Sequence, residues 1–205
     1  MSNIEAVFFD QGNVLDRYDD ANRSAARRMG ISYDDLGKLG AEFVRERHLG
    51  TMREAEYLAK VCGKAGIAPP QGLIFDEIYE RERTVNEELL GVVRQIKEYG
   101  IKTGIISNAE DATKNFIMKR YQARPGLFDI IILSCDEKVA KPDVEIYTRA
   151  LNRLGITDPA RAVFVDDVLG HVKAFMSIGG RGIHYVNNEQ TTGELSAMIG
   201  RALIL

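Results

Sequence analysis

Short runs of apolar residues recur along the chain, separated by segments in which apolar and polar positions follow a helical period. A continuous apolar run of about four to six residues is typical of a strand buried on both faces, as in a parallel sheet covered by helices. Strands and helices that alternate along the chain predict an α/β fold with right-handed crossovers. The apolar runs predict strands at residues 4–9, 101–106, 129–134, 162–165 and 182–186.

Two of the helical segments have well-defined ends. Residues 86–99 and 143–154 each have their apolar side chains on one face, and each segment is followed by a glycine, Gly100 and Gly155. Because glycine readily adopts the left-handed conformation that ends many helices, both glycines are expected to be C-terminal caps. The predicted fold class is therefore a Rossmann-like three-layer core, in which helices cover both faces of a parallel sheet.

The connection after the first strand is too long for an ordinary loop between a strand and a helix. The chain between Asp10 and Ile101 contains no convincing strand but several helical stretches. We therefore expect a helical cap inserted after strand 1, with a core domain at residues 1–16 and 86–205 and a cap domain at 17–85. The helical stretches lie near residues 20–29, 34–48, 52–65 and 72–83.

Composition and charge narrow the functional classes. A net charge of -3 gives no reason to expect a nucleic acid or a membrane surface as partner. No apolar stretch approaches the roughly 20 residues that cross a bilayer, and the amino-terminal segment, with its early acid, does not resemble a secretory signal. Cys62 and Cys135 lack a Cys-x-x-Cys pattern, so we interpret both as reduced thiols of a cytoplasmic protein.

Polar residues capable of chemistry follow several of the apolar runs. In an open parallel sheet the carboxyl ends of the strands share one edge, and ligands bind at that edge. A single polar residue after a strand is commonly a turn residue or a helix cap, whereas several in succession predict a site. These residues are Asp10, Ser107 with Asn108, Lys141, and Asp166 with Asp167.

Together with their neighbours, these residues resemble the four motifs of the haloacid dehalogenase superfamily. The order, the spacing and the strand context of the motifs all match, and the resemblance covers essentially the whole chain. The helical insertion resembles the bundle cap of the superfamily's first subclass. The matching segments are residues 8–15 (FFDQGNVL), 105–108 (IISN), 141–143 (KPD) and 163–167 (VFVDD).

The resemblance implies a hydrolase that forms a covalent intermediate on an aspartate. Asp10 is then the nucleophile on phosphorus, which divides hydrolysis into phosphorylation and dephosphorylation of the enzyme. Lys141 offsets negative charge on Asp10 and on the transferred phosphoryl group, in a catalytic and substrate-binding role. Ser107 hydrogen-bonds a phosphoryl oxygen together with a main-chain N–H at the start of the next helix, and Asn108 shapes the same loop.

The carboxylates at this edge imply a cation. Asp10, Asp166 and Asp167 repel one another and a bound phosphate unless a cation joins them, and hard oxygen ligands suit Mg²⁺. By resemblance, Asp10 and Asp167 supply carboxylate ligands, and the main-chain carbonyl of Gly12 supplies a third. Asp166 is either a further ligand or the partner that orients Lys141. The simpler alternative for the acidic pair is an N-cap of the following helix.

Gly12 departs from the family's pattern. Phosphatases of the superfamily usually have a second Asp at this position, which protonates the leaving oxygen and later activates water. General acid–base help is typically worth about 10²–10⁴ in rate, so its loss predicts a preference for good leaving groups. The pattern Asp-x-Gly-Asn-Val at residues 10–14 resembles a branch that includes sugar-phosphate phosphatases, such as those acting on glucose 1-phosphate. The hypothesis predicts a preference for activated phosphates or sugar 1-phosphates, but the sequence does not choose among substrates.

Two further features each admit two interpretations. His171 lies four residues after Asp167, where many relatives have Asn or Asp, and it either carries protons near the site or packs within its helix. Four basic residues near the turn at 49–51 either bind a distal group of the substrate or belong to the solvated face of the cap. They are Arg45, Arg47, His48 and Arg53.

Three functions follow from this pattern. The leading hypothesis is a Mg²⁺-dependent phosphatase of a small phosphorylated metabolite, with no nucleic acid or membrane partner. Carbon–halogen hydrolysis uses the same type of nucleophile, but it needs no metal, and dehalogenases of the family usually have an aromatic residue where Gly12 stands. The third hypothesis is a protein that keeps the fold and the metal site but binds a metabolite or a partner without turnover. The sequence leaves the oligomeric state open.

Overall fold

A parallel sheet forms the centre of the computed structural model, which describes residues 4–72 and 75–205. The strands in these residues are β1 (Ala6–Phe9), β2 (Asp16–Arg17), β3 (Thr84–Val85), β4 (Lys102–Ser107), β5 (Ile130–Leu133), β6 (Ala162–Asp166) and β7 (Arg181–His184). The five longer strands form the sheet in the order β5-β4-β1-β6-β7, and every neighbouring pair is parallel. The strands predicted from the apolar runs are thereby confirmed, with ends that differ by two residues or fewer.

Helices cover the sheet and form the insertion after its first strand. In the part of the chain that the structure describes, the α-helices are α1 (Asp19–Met29), α2 (Tyr33–Gly40), α3 (Val44–His48), α4 (Glu54–Ala65), α5 (Phe75–Glu82), α6 (Glu87–Glu98), α7 (Asp111–Gln122), α8 (Ser134–Glu137), α9 (Val144–Arg153), α10 (Leu169–Ser177) and α11 (Asn188–Ile199). The helices predicted at 86–99 and 143–154 are confirmed as α6 and α9. Gly100 and Gly155 follow them with φ angles of 77° and 69°, as expected for caps.

The two faces of the sheet pack into two separate hydrophobic layers, because successive residues of a strand point to opposite faces. In β1, Val7 and Phe9 belong to one layer and Ala6 and Phe8 to the other, and all four are fully buried. Burial on both faces explains the continuous apolar run, and the three-layer α/β fold is as predicted. Because β1 is the central strand, the chain leaves it at Asp10 in the middle of the sheet's carboxyl edge.

Helices α1 to α5 lie between β2 and β3, which agrees with the predicted insertion after the first strand. The stretch predicted at 34–48 is divided into α2 and α3 by a short 3₁₀ helix, Ala41–Phe43. Residues 73 and 74 of the stretch predicted at 72–83 lie outside the described residues, and α5 begins directly after them. The boundaries of the core and cap domains, between 16 and 17 and between 85 and 86, stay a prediction.

The prediction that no strand lies between Asp10 and Ile101 is wrong. β2 and β3 pair as an antiparallel ribbon where the chain enters and leaves the cap. Each of these strands has two residues, which is too short to produce a recognisable period in the sequence.

A buried ion pair stabilises this ribbon. Nε of Arg83 lies 2.8 Å from Oδ2 of Asp16, and both side chains are almost completely buried. Arg83 also donates hydrogen bonds to Oδ1 of Asp16 at 3.0 Å and to Oγ1 of Thr113 at 3.1 Å. Because removal of one partner from such a pair leaves a buried charge uncompensated, the geometry of the ribbon depends on both.

Both cysteines, Cys62 and Cys135, are buried and free, in agreement with the interpretation as reduced thiols. Burial raises the pKa of each thiol, so both stay protonated near neutral pH. None of the described helices combines the length and the apolar character that a bilayer crossing requires.

Candidate active site

The loops at the carboxyl ends of β1, β4 and β6, together with the segment after β5, line one cavity of about 350 Å³. The cap contributes another part of the wall through residues of α1, α3 and α5 and the segment before α1, and Thr113 of α7 and His171 of α10 also line the cavity. Asp166 is fully buried beside the cavity. The other residues singled out in the sequence for catalysis, substrate binding or metal binding line the cavity itself: Asp10, Gly12, Ser107, Asn108, Lys141 and Asp167.

Lys141 forms the centre of this edge. Its Nζ atom lies 2.7 Å from Oδ1 of Asp10 and 2.7 Å from Oδ2 of Asp166, and its side chain is 1% exposed. Burial by itself lowers the pKa of Lys141, but the two carboxylates outweigh it and the pKa lies above its ordinary value. The side chain is therefore a fixed positive charge between the ends of β1 and β6.

Asn108 holds the backbone of this lysine. The main-chain N–H of Lys141 donates to Oδ1 of Asn108 at 2.8 Å, and Nδ2 of Asn108 donates to the carbonyl of Lys141 at 3.0 Å. A side-chain amide can make both bonds at once, so the loop after β4 fixes the segment after β5. These two hydrogen bonds are consistent with the predicted role of Asn108 in shaping the loop.

Three carboxylates meet beside Lys141. Asp10, Asp166 and Asp167 each offer an oxygen atom, and these atoms lie within 4.8 Å of one another. Burial raises the pKa of Asp10 to about 7, although Lys141 acts in the opposite direction. Oxygen ligands at this spacing fit a hard divalent cation such as Mg²⁺, which would also offset the repulsion within the group.

Both oxygens of Asp166 already have partners. Oδ2 accepts from Lys141, and Oδ1 accepts from the main-chain N–H of Val168 at 2.7 Å. Nδ1 of His171 lies 3.1 Å from each of the two oxygens. Burial by itself raises the pKa of Asp166, but Lys141 and His171 outweigh it and the pKa lies below its ordinary value. Of the two roles considered for Asp166, this geometry favours the partner that orients Lys141, and His171 lines the cavity next to it.

Ser107 ends β4, and its side chain faces the cavity. Its hydroxyl lies 3.5 Å from the carbonyl of Asn108, which is long for a hydrogen bond from a hydroxyl group. The hydroxyl can therefore reorient toward a bound oxygen at little cost. The main-chain N–H of Ala109 donates to Oγ of Ser134 at 2.9 Å and is therefore not free to bind a phosphoryl oxygen.

Glu110, which the sequence did not single out, connects the core to the cap. Its Oε1 accepts hydrogen bonds from the hydroxyls of Tyr79 at 3.0 Å and Thr113 at 2.9 Å, and it lies 3.4 Å from NH2 of Arg47. Burial by itself raises the pKa of Glu110, but Arg47 and His48 outweigh it and lower the pKa to about 2. In the sequence, Glu110 is an acid just before α7 and resembles an ordinary helix cap.

The four basic residues near the turn at 49–51 divide into two pairs. Arg47 and His48 line the cavity, and Cζ of Arg47 lies 4.0 Å from the ring centre of Tyr57. Burial lowers the pKa of His48, which favours the neutral imidazole. The other two belong to the solvated face: Arg45 pairs with Asp143 at the surface, and Arg53 is exposed.

The space beside Gly12 is filled by the ring of Tyr18, a second residue that the sequence did not single out. A Cβ atom at residue 12 would lie 2.7 Å from Cε1 of that ring. Nδ2 of Asn13 donates to the hydroxyl of Tyr18 at 3.3 Å and to Oδ2 of Asp167 at 3.1 Å. Burial raises the pKa of Tyr18 to about 12, with a further contribution from Asp167, so the hydroxyl keeps its proton at neutral pH.

Comparison with known proteins identifies relatives along most of the chain. The family model described as haloacid dehalogenase-like hydrolase matches residues 4–179. The phosphorylated carbohydrates phosphatase of Thermotoga maritima is 27% identical over 198 residues, which cover 93% of this chain and 89% of that protein. Acyl-CoA dehydrogenase family member 10 of Mus musculus is 31% identical over 117 residues, or 55% of this chain. The matched stretch is 10% of that protein, so the chain corresponds to a small part of it.

Solved structures agree with the observed fold. A HAD family enzyme from Bacteroides thetaiotaomicron superposes with a TM-score of 0.73 and 18% identity, covering 94% of this chain and 98% of that one. Another structure of that enzyme, in complex with magnesium and inorganic phosphate, has a TM-score of 0.63 and 18% identity and covers 88% and 93%. At this level of identity the likeness establishes the arrangement of helices and strands.

Proposed function

Because the chain belongs to the haloacid dehalogenase-like hydrolases, we propose that it is a magnesium-dependent phosphatase of a small phosphorylated metabolite, such as a sugar phosphate. One observation carries the proposal. A buried lysine lies 2.7 Å from each of two carboxylates, beside a third, at the wall of a cavity of about 350 Å³. This arrangement combines a candidate nucleophile with fixed positive charge, which phosphoryl transfer requires.

Asp10 is the proposed nucleophile. One of its carboxylate oxygens forms a bond to phosphorus while the ester bond to the leaving oxygen breaks, and water later hydrolyses the aspartyl-phosphate. Lys141 stabilises the charge on Asp10 and on the phosphoryl oxygens, while Asp166 holds Lys141 in position. Ser107, at the end of β4, donates to a phosphoryl oxygen.

The metal ligands we propose are Asp10, Asp167 and the main-chain carbonyl of Gly12, with Asp166 as a further candidate. The close approach of the three carboxylate oxygens supports this set. Bound Mg²⁺ would neutralise part of the charge that the carboxylates and the phosphoryl group bring together. Asn13, which donates to Oδ2 of Asp167, would orient that carboxylate toward the cation.

Two relatives support the substrate class. The protein from Thermotoga maritima that matches nearly the whole chain is named for phosphorylated carbohydrates, and the Bacteroides enzyme holds magnesium and inorganic phosphate in one of its structures. The pattern at residues 10–14 favours sugar 1-phosphates, because a good leaving group needs less protonation.

The test is phosphate release from a panel of phosphate esters, including sugar 1-phosphates, simple alkyl phosphates and para-nitrophenyl phosphate. We expect release that requires Mg²⁺, stops with EDTA and is abolished by Asp10→Asn. The matched control is Asp136→Asn, because Asp136 forms an exposed ion pair with Lys114 and should not affect turnover. Activity that survives Asp10→Asn would contradict the proposal, and better turnover of alkyl phosphates would contradict the sugar 1-phosphate preference.

Hydrolysis of a carbon–halogen bond is a second candidate, because an aromatic ring, that of Tyr18, lies against Gly12. Retention of Asp167 within the acidic group favours the phosphatase, since dehalogenation needs no metal. Halide release from 2-haloacids in the presence of EDTA distinguishes the two. If folded protein releases neither phosphate nor halide, the remaining hypothesis is a binding protein without turnover.

A further inference from the structure

Tyr18 lies where the chain enters the cap, directly before α1. Its ring covers Gly12, so that even one additional carbon atom at residue 12 would collide with it. The position of the tyrosine ring thus depends on glycine at residue 12. An acidic side chain at residue 12 and the present position of Tyr18 exclude each other.

The ring of Tyr18 is held from the cap side as well. Cζ of Arg83 lies 5.7 Å from the ring centre, and Arg83 is itself fixed by its buried ion pair with Asp16. Since Asp16 belongs to β2 and Arg83 directly precedes β3, the ring is held where the cap joins the core. Its orientation is therefore set by the fold.

The hydroxyl of Tyr18 has an unused hydrogen. It accepts from Nδ2 of Asn13, and among the described residues no acceptor for its own hydrogen is recorded. The other tyrosine of the cavity, Tyr79, differs because its hydroxyl donates to Glu110 at 3.0 Å. Of these two phenols in the cavity, Tyr18 is thus the one that can donate to a bound molecule.

In-line attack by Asp10 on phosphorus directs the leaving oxygen away from Asp10. Asp10 lies on the sheet edge, and the cap forms a large part of the rest of the cavity wall, so we expect the leaving oxygen to face the cap. Tyr18 belongs to that wall and also borders Gly12, two residues after the nucleophile. The phenol therefore lies beside the metal-binding edge, in the wall that the leaving oxygen is expected to face.

We propose that the Tyr18 hydroxyl donates a hydrogen bond to the leaving oxygen of the substrate, in the place that an acid at residue 12 would otherwise take. This inference rests on the proposed phosphatase function. The leaving oxygen keeps the electron pair of the broken P–O bond, Tyr18 stabilises the resulting negative charge without giving up its proton, and solvent supplies the proton afterwards. Asn13 orients the hydroxyl by donating to it.

The test compares wild type and Tyr18→Phe on aryl phosphates that differ in the basicity of the leaving phenol. A hydrogen bond to developing negative charge is worth more when the leaving group is more basic. We expect Tyr18→Phe to lower kcat/KM, which reports the step that releases the leaving group, about tenfold for phenyl phosphate and about twofold for para-nitrophenyl phosphate. Tyr33→Phe is the matched control, because its hydroxyl is exposed and makes a long contact with Asp19.

The outcomes separate this inference from the proposed function. Equal loss on all esters, with weaker Mg²⁺ binding, would show that Tyr18 acts through Asn13 and Asp167, and it would overturn the inference alone. Unchanged rates in Tyr18→Phe would overturn it as well, provided that Asp10→Asn abolishes phosphate release. An inactive wild type would overturn both. Urea unfolding of each variant verifies that the comparison is between folded proteins.

Discussion

Two clusters of charged residues face the same cavity, and they differ in their balance of charge. One lies at the carboxyl edge of the sheet and contains three carboxylates around a single ammonium group. The other lies between the cap and the start of α7 and pairs one carboxylate with one guanidinium group. The core cluster consists of Asp10, Lys141, Asp166 and Asp167, and the cap cluster consists of Arg47, Tyr79 and Glu110.

The difference in net charge indicates that the two clusters have different roles. Buried like charges are unfavourable unless an opposite charge compensates them, so the core cluster favours a divalent cation and stabilises developing charge. The cap cluster is already compensated, and its contacts join two parts of the fold. Chemistry is therefore expected to depend on the core cluster, whereas closure of the cavity depends on the cap cluster.

Removal of the single cation from the core cluster should have the largest effect. Lys141→Ala leaves Asp10 and Asp166 without their buried partner and removes the charge that stabilises the phosphoryl group. We expect kcat/KM to fall by about 10³-fold or more. Lys114→Ala, which breaks an exposed ion pair with Asp136, is the control and should stay close to wild type. If Lys141→Ala kept most of the wild-type activity, the proposed catalytic role of Lys141 would be wrong.

Disruption of the cap cluster should lower stability and leave the chemistry largely intact. Glu110→Gln leaves Arg47, whose side chain is 14% exposed, without its charged partner. We expect the free energy of unfolding to fall by roughly 3 kcal/mol at pH 7, while kcat for para-nitrophenyl phosphate changes far less than in Lys141→Ala. Glu42→Gln, in an exposed pair with Lys64, should cost less than about 0.5 kcal/mol.

The pH dependence of this effect has a definite sign. The pKa of Glu110 is about 2 in the folded protein and 4.5 ordinarily, so its contribution to stability is fully present above pH 4.5. It is lost as the pH falls from 4.5 toward 2, and urea unfolding of wild type and Glu110→Gln should converge over that range. A difference that persists at the acid end would mean that the charge of Glu110 is not what stabilises the contact.

The core cluster could be predicted from the sequence because its geometry follows from the sheet. Continuous apolar runs, which are typical of strands buried on both faces, identify the strands. The carboxyl ends of parallel strands share one edge of the sheet. The proximity of Asp10, Ser107 and Asp166 can therefore be predicted without any knowledge of side-chain packing. The position of Lys141 is different, because α8 separates it from the end of β5, and its bonds to Asn108 are visible only in the structure.

The cap cluster could not be predicted in the same way. Arg47 lies in the short helix α3 and Glu110 at the start of α7, positions where charged residues are normally solvated. Their meeting depends on how the cap packs on the core, which no local pattern encodes. The same holds for Tyr18 and Gly12, because the glycine indicates a missing acid but not which ring fills the space.

A smaller effect is expected from a change of charge within the core cluster. Asp167→Asn keeps an oxygen atom at the metal edge but removes its negative charge. We expect Mg²⁺ binding, measured by calorimetry without substrate, to weaken at least about tenfold. Asp136→Asn is again the control, and equal Mg²⁺ affinity in the two variants would exclude Asp167 as a ligand.

The smallest effect tests how tightly the cap is fitted to the core at Gly12. Gly12→Ala brings a Cβ atom to 2.7 Å from the Tyr18 ring, so the ring must shift, and we expect a loss of about 1 kcal/mol in the free energy of unfolding. Gly63→Ala is the control, because nothing lies within 4 Å of a Cβ there and alanine favours its helix. In a Tyr18→Ala background the same change at residue 12 should cost less than about 0.5 kcal/mol, since the collision is gone. If Gly12→Ala costs as much with the ring as without it, the backbone at residue 12, and not Tyr18, requires the glycine.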